Sequence, residues 1–574
     1  MKFLISAVLL LLIGNSSINA QKYGKTQLDS LYNRFVEFKS YKGAVHTGIQ
    51  TAQVHGKCGF GLISEIKFNY RYFTEEQKKV LDVLFQRPSS DTSFVSPNGF
   101  FRIHFTKSDF PDYIPDKLRP TIPANQMQKY KEIYLDSLAI ALDSAYNFEV
   151  NYLGYPPPPP DGTAGGDDKY DIYLDRTSDY GSTYPETQIS SIPTFTSYME
   201  MSDDYSGFPT DGINGARVTA AHEFHHSIQI GDYVDRYDSD AFFYELTSVS
   251  MEHFVYPTIH DYYQYLPSYF NNTQNSFTQN GTDQEYALGI WNIFLKDKFG
   301  YGIIMKQWEL MPRMRAIKAI DNSLIDYYTT FGTEFANFGI WTYFTGYRAV
   351  PGKYFIDAAH YPIIKPADNM SFNTPSLNIQ GYTEPLTNNF LSITRQYSNS
   401  YTSPDSLTVI LTNADISKGV DSNYTNVPFS YNLYTTQTAG KTLLTNDYYY
   451  GFSTAQPALW LTGAVLNNMV VVSGQTGVRN SDFVFPSPFN YKYNVNLYIP
   501  VTYNSTRSAQ LYIYNIAMRL VYSGSKIISN IMGRQVLTWN ALDNNNDKLS
   551  SGVYIYVIKS GDNITKGKLV ILNE

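Results

Sequence analysis

The chain has 574 residues, which predicts about three or four domains. Aromatic residues make up 16% of it, which excludes a chain that is disordered throughout. The formal net charge is −8, which argues against a nucleic-acid-binding protein, because such proteins normally have a basic face. The single cysteine, Cys58, excludes an intrachain disulfide framework.

The N-terminus has the pattern of a secretory signal peptide over residues 1–20. Lys2 is followed by an apolar run over 3–14, and Ala20 precedes the expected cleavage point. We therefore predict a mature chain that begins at Gln21 and is secreted, to the extracellular space or the cell surface. A membrane anchor is the alternative interpretation of the apolar run. No later stretch reaches about 18 consecutive apolar residues, so no transmembrane segment is predicted in the mature chain.

Helical and strand patterns alternate up to about residue 365. Helices are predicted over 28–38, 75–85, 124–147, 216–230, 240–255 and 286–299, and strands over 100–105 and 172–174. Arg87-Pro88 is a stop signal after the second helix. We assign residues 21–88 to an N-terminal segment, a candidate propeptide, and 89–365 to a mixed α+β domain.

Beyond about residue 365 the composition changes. Ser, Thr, Asn and Tyr dominate, and short alternating runs such as Leu407–Leu411 are typical of a β-sandwich. We assign a β-sandwich domain to 366–481 and a further unit to 482–574.

The sharpest chemical signal lies in the predicted helix 216–230. His222 and His226 are four residues apart, so they share one face of a helix, and Glu223 lies between them in sequence. Two neutral imidazoles can bind a divalent ion while the Glu223 carboxylate reaches a water beside it, so we predict a zinc site. His225 does not fit this spacing and is interpreted as a neighbour, not a ligand.

A catalytic zinc site needs a third protein ligand and an open position. Eighteen residues separate His226 from Glu245, enough for a second helix to return antiparallel and present Glu245 to the histidines. Glu252 is two helical turns further on and is a candidate partner that orients a ligand histidine; a solvated helix charge is the alternative. A structural zinc site is disfavoured, because such sites use four Cys or His ligands and Cys58 is the only cysteine.

The pattern His-Glu-x-x-His, eighteen residues, then Glu resembles the signature of the gluzincin clan of zinc metallopeptidases. Residues from about 55 to 350 also resemble a family of secreted bacterial metalloproteases of that type, through the stretches 101–105, 153–156, 161–162, 165–168, 170–173, 218–226 and 245–252. The resemblance implies a thermolysin-like catalytic domain with His222, His226 and Glu245 as zinc ligands and Glu223 as general base. Glu245 is followed by Leu-Thr-Ser instead of the Gly-Phe-Ala of gluzincin aminopeptidases, which favours an endopeptidase.

The implied reaction is hydrolysis of a protein or peptide substrate by a zinc-activated water. Gluzincins commonly stabilise the oxyanion with a downstream Tyr or His, and Tyr286 and His253 are the candidates. An edge strand can hold an extended substrate by β-addition, and we assign that role to Thr194–Met201.

Two further groups have candidate roles. Asp167, Asp168 and Asp171 could bind Ca²⁺, although they match no defined calcium loop; a polar turn leading into a strand is the alternative. Cys58, in a Cys-Gly pair, could occupy the open metal position and keep the enzyme latent, which resembles the cysteine switch of another metalloprotease clan. A buried, inert cysteine is the alternative.

The last unit, 482–574, resembles the C-terminal sorting domain of the type IX secretion system, an immunoglobulin-like β-sandwich. The matching stretches are 485–490, 511–514, 539–543, 551–556 and 568–572. Phe485 and Ser487 depart from the usual Tyr-Pro-Asn-Pro opening. The resemblance implies the secretion machinery as a partner; an ordinary adhesive β-domain is the alternative.

The sequence therefore predicts a secreted zinc endopeptidase. A first rival hypothesis is a catalytically silent surface adhesin with a structural metal site, whose Ser/Thr/Tyr-rich β half binds the partner. A second rival is a zinc hydrolase that acts on esters and not on peptides.

Overall fold

The computed structural model describes residues 23–46, 56–107, 121–203, 205, 207–374, 376–395, 405–416, 427–438, 441–450, 458–463, 469–471, 484, 489–491, 496–501, 508–531, 534–561 and 563–573. These residues form a mixed α+β protein. The predicted signal peptide and the 485–488 opening of the predicted sorting domain lie outside the described residues. Within the described part, no helix is long and apolar enough to cross a membrane.

The chain divides into two compact units, Met1–Phe148 with Pro156–Ser239, and Glu149–Tyr155 with Asp240–Glu574. The helices of the first unit are α1 (Lys25–His46), α2 (Phe60–Asn69), α3 (Glu75–Leu84), α4 (Met127–Tyr146) and α5 (Gly212–Ile228). Its strands are β1 (Thr92–Val95), β2 (Phe101–Phe105), β3 (Tyr170–Asp175), β4 (Gly181–Gln188) and β5 (Phe195–Ser202).

The five strands of the first unit form one mixed sheet in the order β1-β2-β3-β5-β4. β2, β3 and β5 are parallel, whereas β1 and β4 pair antiparallel with their neighbours. Because β4 is at one end of this order, its outer backbone edge is not used by another strand of the described sheet. This edge matters for the candidate site, since β4 also packs on α5.

Helices cover both faces of the sheet. On one face Phe101 of β2 packs on α5, its ring 5.3 Å from that of Phe224. On the other face Tyr173 of β3 joins a core built with α1, α2 and α3; the other members of this core are Leu28, Leu31, Phe35, Ile63, Ile66, Phe73, Leu81, Tyr184 and Tyr198. The alternation of side chains along a strand sorts Phe101 and Tyr173 to opposite faces.

Ion pairs also attach the N-terminal segment to the sheet. Lys39 Nζ of α1 lies 3.0 Å from Glu200 Oε1 of β5, and both side chains are buried. Arg87 pairs with three carboxylates, those of Asp161, Asp171 and Glu186. The described residues of the N-terminal segment, 23–46 and 56–88, are thus part of the folded core of this unit.

The second unit begins with a helical part and continues with strands. Its helices are α6 (Tyr237–Val255, which starts in the first unit), α7 (Leu266–Phe270), α8 (Gln284–Ala287), α9 (Gly289–Phe299), α10 (Gly302–Leu310), α11 (Ala316–Ile325) and α12 (Phe331–Tyr343). Aromatic rings fill the helical core: Trp291 lies 5.3 Å from Phe277, and Trp308 lies 4.9 Å from Phe243.

Two four-stranded sheets follow the helices. The strands are β6 (Asp368–Phe372), β7 (Ser376–Thr383), β8 (Thr387–Arg395), β9 (Asp405–Asn413), β10 (Val427–Thr438), β11 (Lys441–Tyr450), β12 (Ala458–Gly463) and β13 (Met469–Val471). Their orders are β13-β11-β10-β7 and β12-β9-β8-β6. The change from helices to strands near residue 366 agrees with the change in composition.

The C-terminal part is a seven-stranded sheet in the order β14-β20-β19-β16-β17-β18-β15. The strands are β14 (Phe489–Asn490), β15 (Leu497–Pro500), β16 (Ser508–Asn515), β17 (Leu520–Ile531), β18 (Arg534–Trp539), β19 (Gly552–Ser560) and β20 (Asn563–Leu572). β17 pairs with β16 up to Ile527 and with β18 from Ile528 onward. Trp539 and Phe489 are among the buried residues of the core that its described residues form.

Most predicted elements are confirmed within a few residues, but the predicted edge strand is wrong. Thr194–Met201 corresponds to β5, which pairs with both β3 and β4 and is an interior strand. Its polar residues suggested an exposed edge, yet they have internal partners: Glu200 pairs with Lys39, and Ser197 shares a 2.8 Å hydrogen bond with Tyr170. The predicted helix 286–299 is also interrupted, since α8 ends at Ala287 and α9 begins at Gly289.

Candidate metal centre

The predicted metal-binding histidines lie on α5, which is buried along most of its length. His222 is 2% exposed and His226 is fully buried, and their Nε2 atoms are 3.2 Å apart. Two nitrogen ligands of one tetrahedral zinc ion, each about 2.0–2.1 Å from it, would be separated by about 3.3 Å. The spacing of the pair is therefore that of two ligands of one ion.

A further donor lies beside the two histidines. One ligand atom from each of Cys58, His222 and His226 lies within 4.8 Å of the other two. Cys58 is partly buried, and Glu245, in the second unit, is fully buried. Imidazole nitrogens and a thiolate sulfur are donors that zinc prefers, so the residues present fit this metal. We call Cys58, His222 and His226 the zinc group.

Neighbours of His226 fix its orientation. Its Nδ1 lies 2.7 Å from Oε1 of Gln229, one helical turn further along. An Nδ1–H that donates to this amide oxygen leaves Nε2 unprotonated and free to bind a metal. The ring of Phe60 stacks on the imidazole, with 4.3 Å between centroids and 26° between planes.

Glu223 is held from the sheet side. It is 1% exposed, and the hydroxyl of Thr183 in β4 donates to its carboxylate. The strand also approaches the helix closely at Gly181, where an added Cβ would lie 3.2 Å from Glu223 Cγ and 2.6 Å from Thr219 Cγ2. The predicted general base therefore lies between α5 and the sheet edge, on the same helix as the histidines.

The backbone on both sides of Cys58 pairs with the edge strand. Cys58 forms a parallel bridge with Gly181. Gly59 N donates to the Gly181 carbonyl oxygen and Tyr180 N donates to the Lys57 carbonyl oxygen, each at 3.2 Å. The tripeptide Lys57-Cys58-Gly59, called the 57–59 strand below, thus pairs with residues 180–181 at the start of β4.

Glycine is required at position 59 by close packing. A Cβ there would lie 2.2 Å from Ser182 Oγ and 2.7 Å from Asp179 Oδ2. Sulfur is also fixed in place, because the Phe60 N–H at the start of α2 donates to Cys58 Sγ at 3.3 Å. The Cys-Gly pair is therefore placed by backbone pairing, by contact and by a hydrogen bond to sulfur.

A buried carboxyl lies beside this strand. Asp179 is 2% exposed and accepts a 2.6 Å hydrogen bond from Ser182. Burial, with smaller contributions from the charges of Glu223 and Glu200, raises the pKa of Asp179 to about 7. This group holds a proton up to near-neutral pH.

The other predicted residues are placed as follows. His225 is fully buried outside the zinc group, and burial lowers its pKa well below the usual range. Glu252 is 1% exposed, so it is not a solvated helix charge. Tyr286 is 9% exposed with its ring 5.2 Å from that of Tyr265. His253 belongs to a different group, with His260 and Asp357. The oxyanion roles of Tyr286 and His253 stay predictions.

The acidic turn proposed for calcium is occupied by ion pairs. Asp167 pairs with Arg102, and this hydrogen bond lowers the pKa of Asp167 to about 2. Asp171 is fully buried and pairs with Arg87 and, at 2.7 Å, with His104. These pairs favour the alternative interpretation, a polar turn that leads into β3.

Part of the chain matches a known protein family. Residues 116–314, which include His222, Glu223, His226 and Glu245, match a family of unknown function (DUF6055). Comparison with curated proteins gives no match.

The solved structures that are similar share little with the chain. PorZ, an essential bacterial surface component of the type IX secretion system of Porphyromonas gingivalis, is 16% identical over 17% of this chain and 13% of that one, with a TM-score of 0.13. Dimeric latent PorU from Porphyromonas gingivalis is 13% identical over 31% of this chain and 25% of that one, with a TM-score of 0.15. A chimeric titin Z1Z2 tandem is 12% identical over 37% of this chain and 97% of that one, with a TM-score of 0.10. The chain thus spans a quarter or less of PorZ and PorU.

Proposed function

We propose that this chain is a secreted, zinc-dependent endopeptidase of the gluzincin type, with a thermolysin-like catalytic core. The observation that carries the proposal is the geometry of α5: two buried Nε2 atoms 3.2 Å apart, with a buried carboxylate at the next position after the first histidine. His222, His226 and Glu245 are the ligands in this proposal.

The proposed chemistry divides between the metal and the chain. A bound zinc ion supplies Lewis acidity that polarises a carbonyl and lowers the pKa of a water. Glu223 accepts the proton of the attacking water and later donates it to the leaving amine. Thr183 holds the Glu223 carboxylate, and Gln229 keeps His226 in the tautomer that binds metal.

The edge of β4 is the proposed binding place for an extended peptide. Main-chain groups of an edge strand bind a peptide by β-addition, independently of its sequence. β4 has this role because it carries Thr183 and Gly181 against Glu223, whereas the interior strand β5 has no free edge. Protein substrates are therefore favoured over small esters.

Export by the type IX secretion system is also proposed. It rests on the signal-peptide pattern and on the sequence resemblance of residues 482–574 to a sorting domain. An immunoglobulin-like sandwich is the fold expected for that unit.

The surface-adhesin hypothesis keeps one specific observation in its favour. Cys58 lies within 4.8 Å of His222 and His226, and together with the proposed ligand Glu245 it would give a zinc ion four protein ligands, which is typical of a structural site. A catalytic site has three protein ligands and an open position. The two hypotheses therefore differ in what happens when Cys58 is removed.

The test uses the mature chain from Gln21 and its Cys58→Ala variant, each with and without the additional Glu223→Gln substitution. Casein cleavage and zinc content are measured for all four proteins. We expect cleavage in the Cys58→Ala background and a loss of at least about a hundredfold on adding Glu223→Gln, with zinc retained, because general-base catalysis contributes about that much. Glu76→Gln, at an exposed position on α3, is the matched control and should leave the rate unchanged. Equal rates with and without Glu223 would overturn the mechanism. Absence of cleavage from the zinc-loaded Cys58→Ala chain would favour the adhesin.

A further inference from the structure

We infer that Cys58 binds the proposed zinc ion together with His222 and His226, and that the 57–59 strand occupies the start of the substrate edge of β4, so that the full chain is latent. The inference rests on the proposed function, because latency has meaning only for an enzyme. One ligand atom from each of Cys58, His222 and His226 lies within 4.8 Å of the other two, and Cys58 is the only cysteine in the chain.

The direction of the pairing explains why the strand would block without being cut. The 57–59 strand runs parallel to β4, as the Cys58–Gly181 bridge shows. Reversing a peptide on a sheet edge changes which backbone groups pair and which way the carbonyl carbons face. A parallel occupant thus takes the edge and its hydrogen bonds, while the Cys58 sulfur, in place of a scissile carbonyl, faces the metal ligands.

The strand is fixed more firmly than a chance contact. Two main-chain hydrogen bonds join it to 180–181, and Lys57 is buried with Nζ 5.3 Å from the centre of the Tyr180 ring. Gly59 fits only because it has no side chain, since a Cβ would meet Ser182 and Asp179. α2 follows directly and packs Phe60 on His226, so the strand is continuous with a helix that contacts a ligand.

Thiol reactivity tests the ligand role without reference to activity. Alkylation of Cys58 by iodoacetamide is followed by mass spectrometry on the full chain, with zinc bound and after chelation; the single cysteine makes the signal unambiguous. We expect alkylation at least about tenfold slower with zinc bound, because a coordinated thiolate is a poor nucleophile. In the His226→Ala chain zinc should give no protection. Equal alkylation rates with and without zinc in the parent chain would overturn the inference.

A spectroscopic measurement checks the bond itself. Co²⁺ replaces Zn²⁺ in the parent chain and in Cys58→Ser, and the sulfur-to-cobalt charge-transfer absorption is recorded. The band should be present in the parent and absent in the variant. A parent spectrum without it would show that sulfur is not a ligand, even if the variant were poorly folded.

Casein cleavage then separates latency from the proposed function. The parent should be at least about a hundredfold slower than Cys58→Ala. Gly59→Ala, which keeps the cysteine in the sequence but displaces the strand that carries it, should also be activated. A parent as active as Cys58→Ala would overturn latency. Protection of the thiol together with an inactive Cys58→Ala chain would overturn the peptidase proposal, and latency with it, while the ligand role would stand.

A second inference comes from a different group in the second unit. We infer that His253, His260 and Asp357 form a separate site for a divalent transition metal. One ligand atom from each lies within 4.8 Å of the others. Two imidazoles and one carboxylate suit Zn²⁺, Ni²⁺ or Fe²⁺, and they leave further coordination positions of the ion for water.

The buried member of this group points to a ligand. His253 is 7% exposed, and its Nδ1 is buried with no hydrogen-bond partner among the described residues. Buried polar atoms are normally hydrogen-bonded or bound to an ion. His260 is exposed and stacks on Tyr263 at 4.6 Å, while Asp357 accepts from Tyr262 at 3.4 Å, so both remaining donors are oriented and reachable from solvent.

Zinc stoichiometry tests this site. Equilibrium dialysis of the full chain against Zn²⁺ should give two bound ions, falling to one in His260→Ala and in Asp357→Asn. His360→Ala, an exposed neighbour outside the group, is the matched control and should keep two. Equal numbers of ions bound by the parent and by His260→Ala would overturn the inference.

Discussion

The hydroxyl of Thr183 lies 2.8 Å from Oε2 of Glu223 and 3.0 Å from the main-chain carbonyl oxygen of the same residue. One side chain of the sheet edge thus contacts both the carboxylate and the backbone of the proposed general base. Helix and strand are joined at the point where proton transfer is proposed.

Removing this hydroxyl should slow the reaction and leave metal binding intact. We expect Thr183→Val to lower casein cleavage by about tenfold in the Cys58→Ala background, because a hydrogen bond to a charged group contributes about 1.5–3 kcal/mol and about 1.4 kcal/mol corresponds to tenfold. Thr183→Ser keeps the hydroxyl and is the control. An unchanged rate in Thr183→Val with normal zinc content would show that Glu223 needs no such support.

The Gln229–His226 hydrogen bond should determine metal affinity. Gln229→Ala removes the acceptor 2.7 Å from Nδ1 and leaves the tautomer of His226 undefined. We expect zinc affinity, measured by competition with a chromogenic chelator, to fall about 10–100-fold, as is usual for such supporting residues. Gln229→Glu keeps an acceptor and should retain affinity. Equal affinities of the alanine and glutamate variants would contradict this account.

The buried carboxyl of Asp179 should make the fold less stable as the pH rises. Its pKa is raised to about 7 in the folded chain from an ordinary value of 3.8, so between these values the folded state holds a proton that the unfolded state has lost. Stability therefore falls as the pH rises from about 4 to about 7 and is level above that. A rise in pKa of about three corresponds to a loss of about 4 kcal/mol in the free energy of unfolding, as an upper bound.

Asp179→Asn should remove this pH dependence. The amide is neutral at every pH, so the variant should melt at a higher temperature than the parent at pH 8 and at a similar one at pH 4. Zinc content is held constant across the series. A parent and variant with parallel melting curves over this range would contradict the raised pKa.

Removing one partner of the Lys39–Glu200 ion pair should destabilise the fold more than replacing both partners. Both side chains are buried, at 7% and 1% exposure. Lys39→Ala leaves a buried, uncompensated carboxylate, and we expect a loss of about 3–5 kcal/mol in the free energy of unfolding. The double variant Lys39→Met with Glu200→Gln should recover most of it. Urea unfolding followed by near-UV circular dichroism measures both, and additive losses would contradict the pairing.

Periodicity predicted the helices because their apolar spacing depends on local sequence alone. α3, α4 and α5 agree with 75–85, 124–147 and 216–230 to within four residues. The predicted edge strand failed for the opposite reason. Whether a strand is interior or at an edge depends on which strands pair with it, and β5 owes its interior place to β3 and β4.

In the candidate site, too, residues placed by local sequence were predictable and residues placed by strand pairing were not. The spacing of His222, Glu223 and His226 within one helix made them predictable, and Gln229 follows the same rule, since it lies one turn after His226. Thr183 and Asp179 come from a separate strand and the turn before it, and no spacing links them to α5. Cys58 was a candidate because a thiol is a strong ligand, but its position beside the histidines needs the pairing with Gly181.

The core shared by α1, α2, α3 and the sheet has a consequence for how such a chain could mature. Leu28, Phe35 and Leu81 belong to the same buried core as the tyrosines of β3, β4 and β5. A cut near Pro88 would break one peptide bond but expose this whole apolar surface if the fragment left, so the fragment should stay attached as a nicked complex. Maturation would then consist of dislodging a tripeptide from a sheet edge, and the two pieces would still travel as one particle.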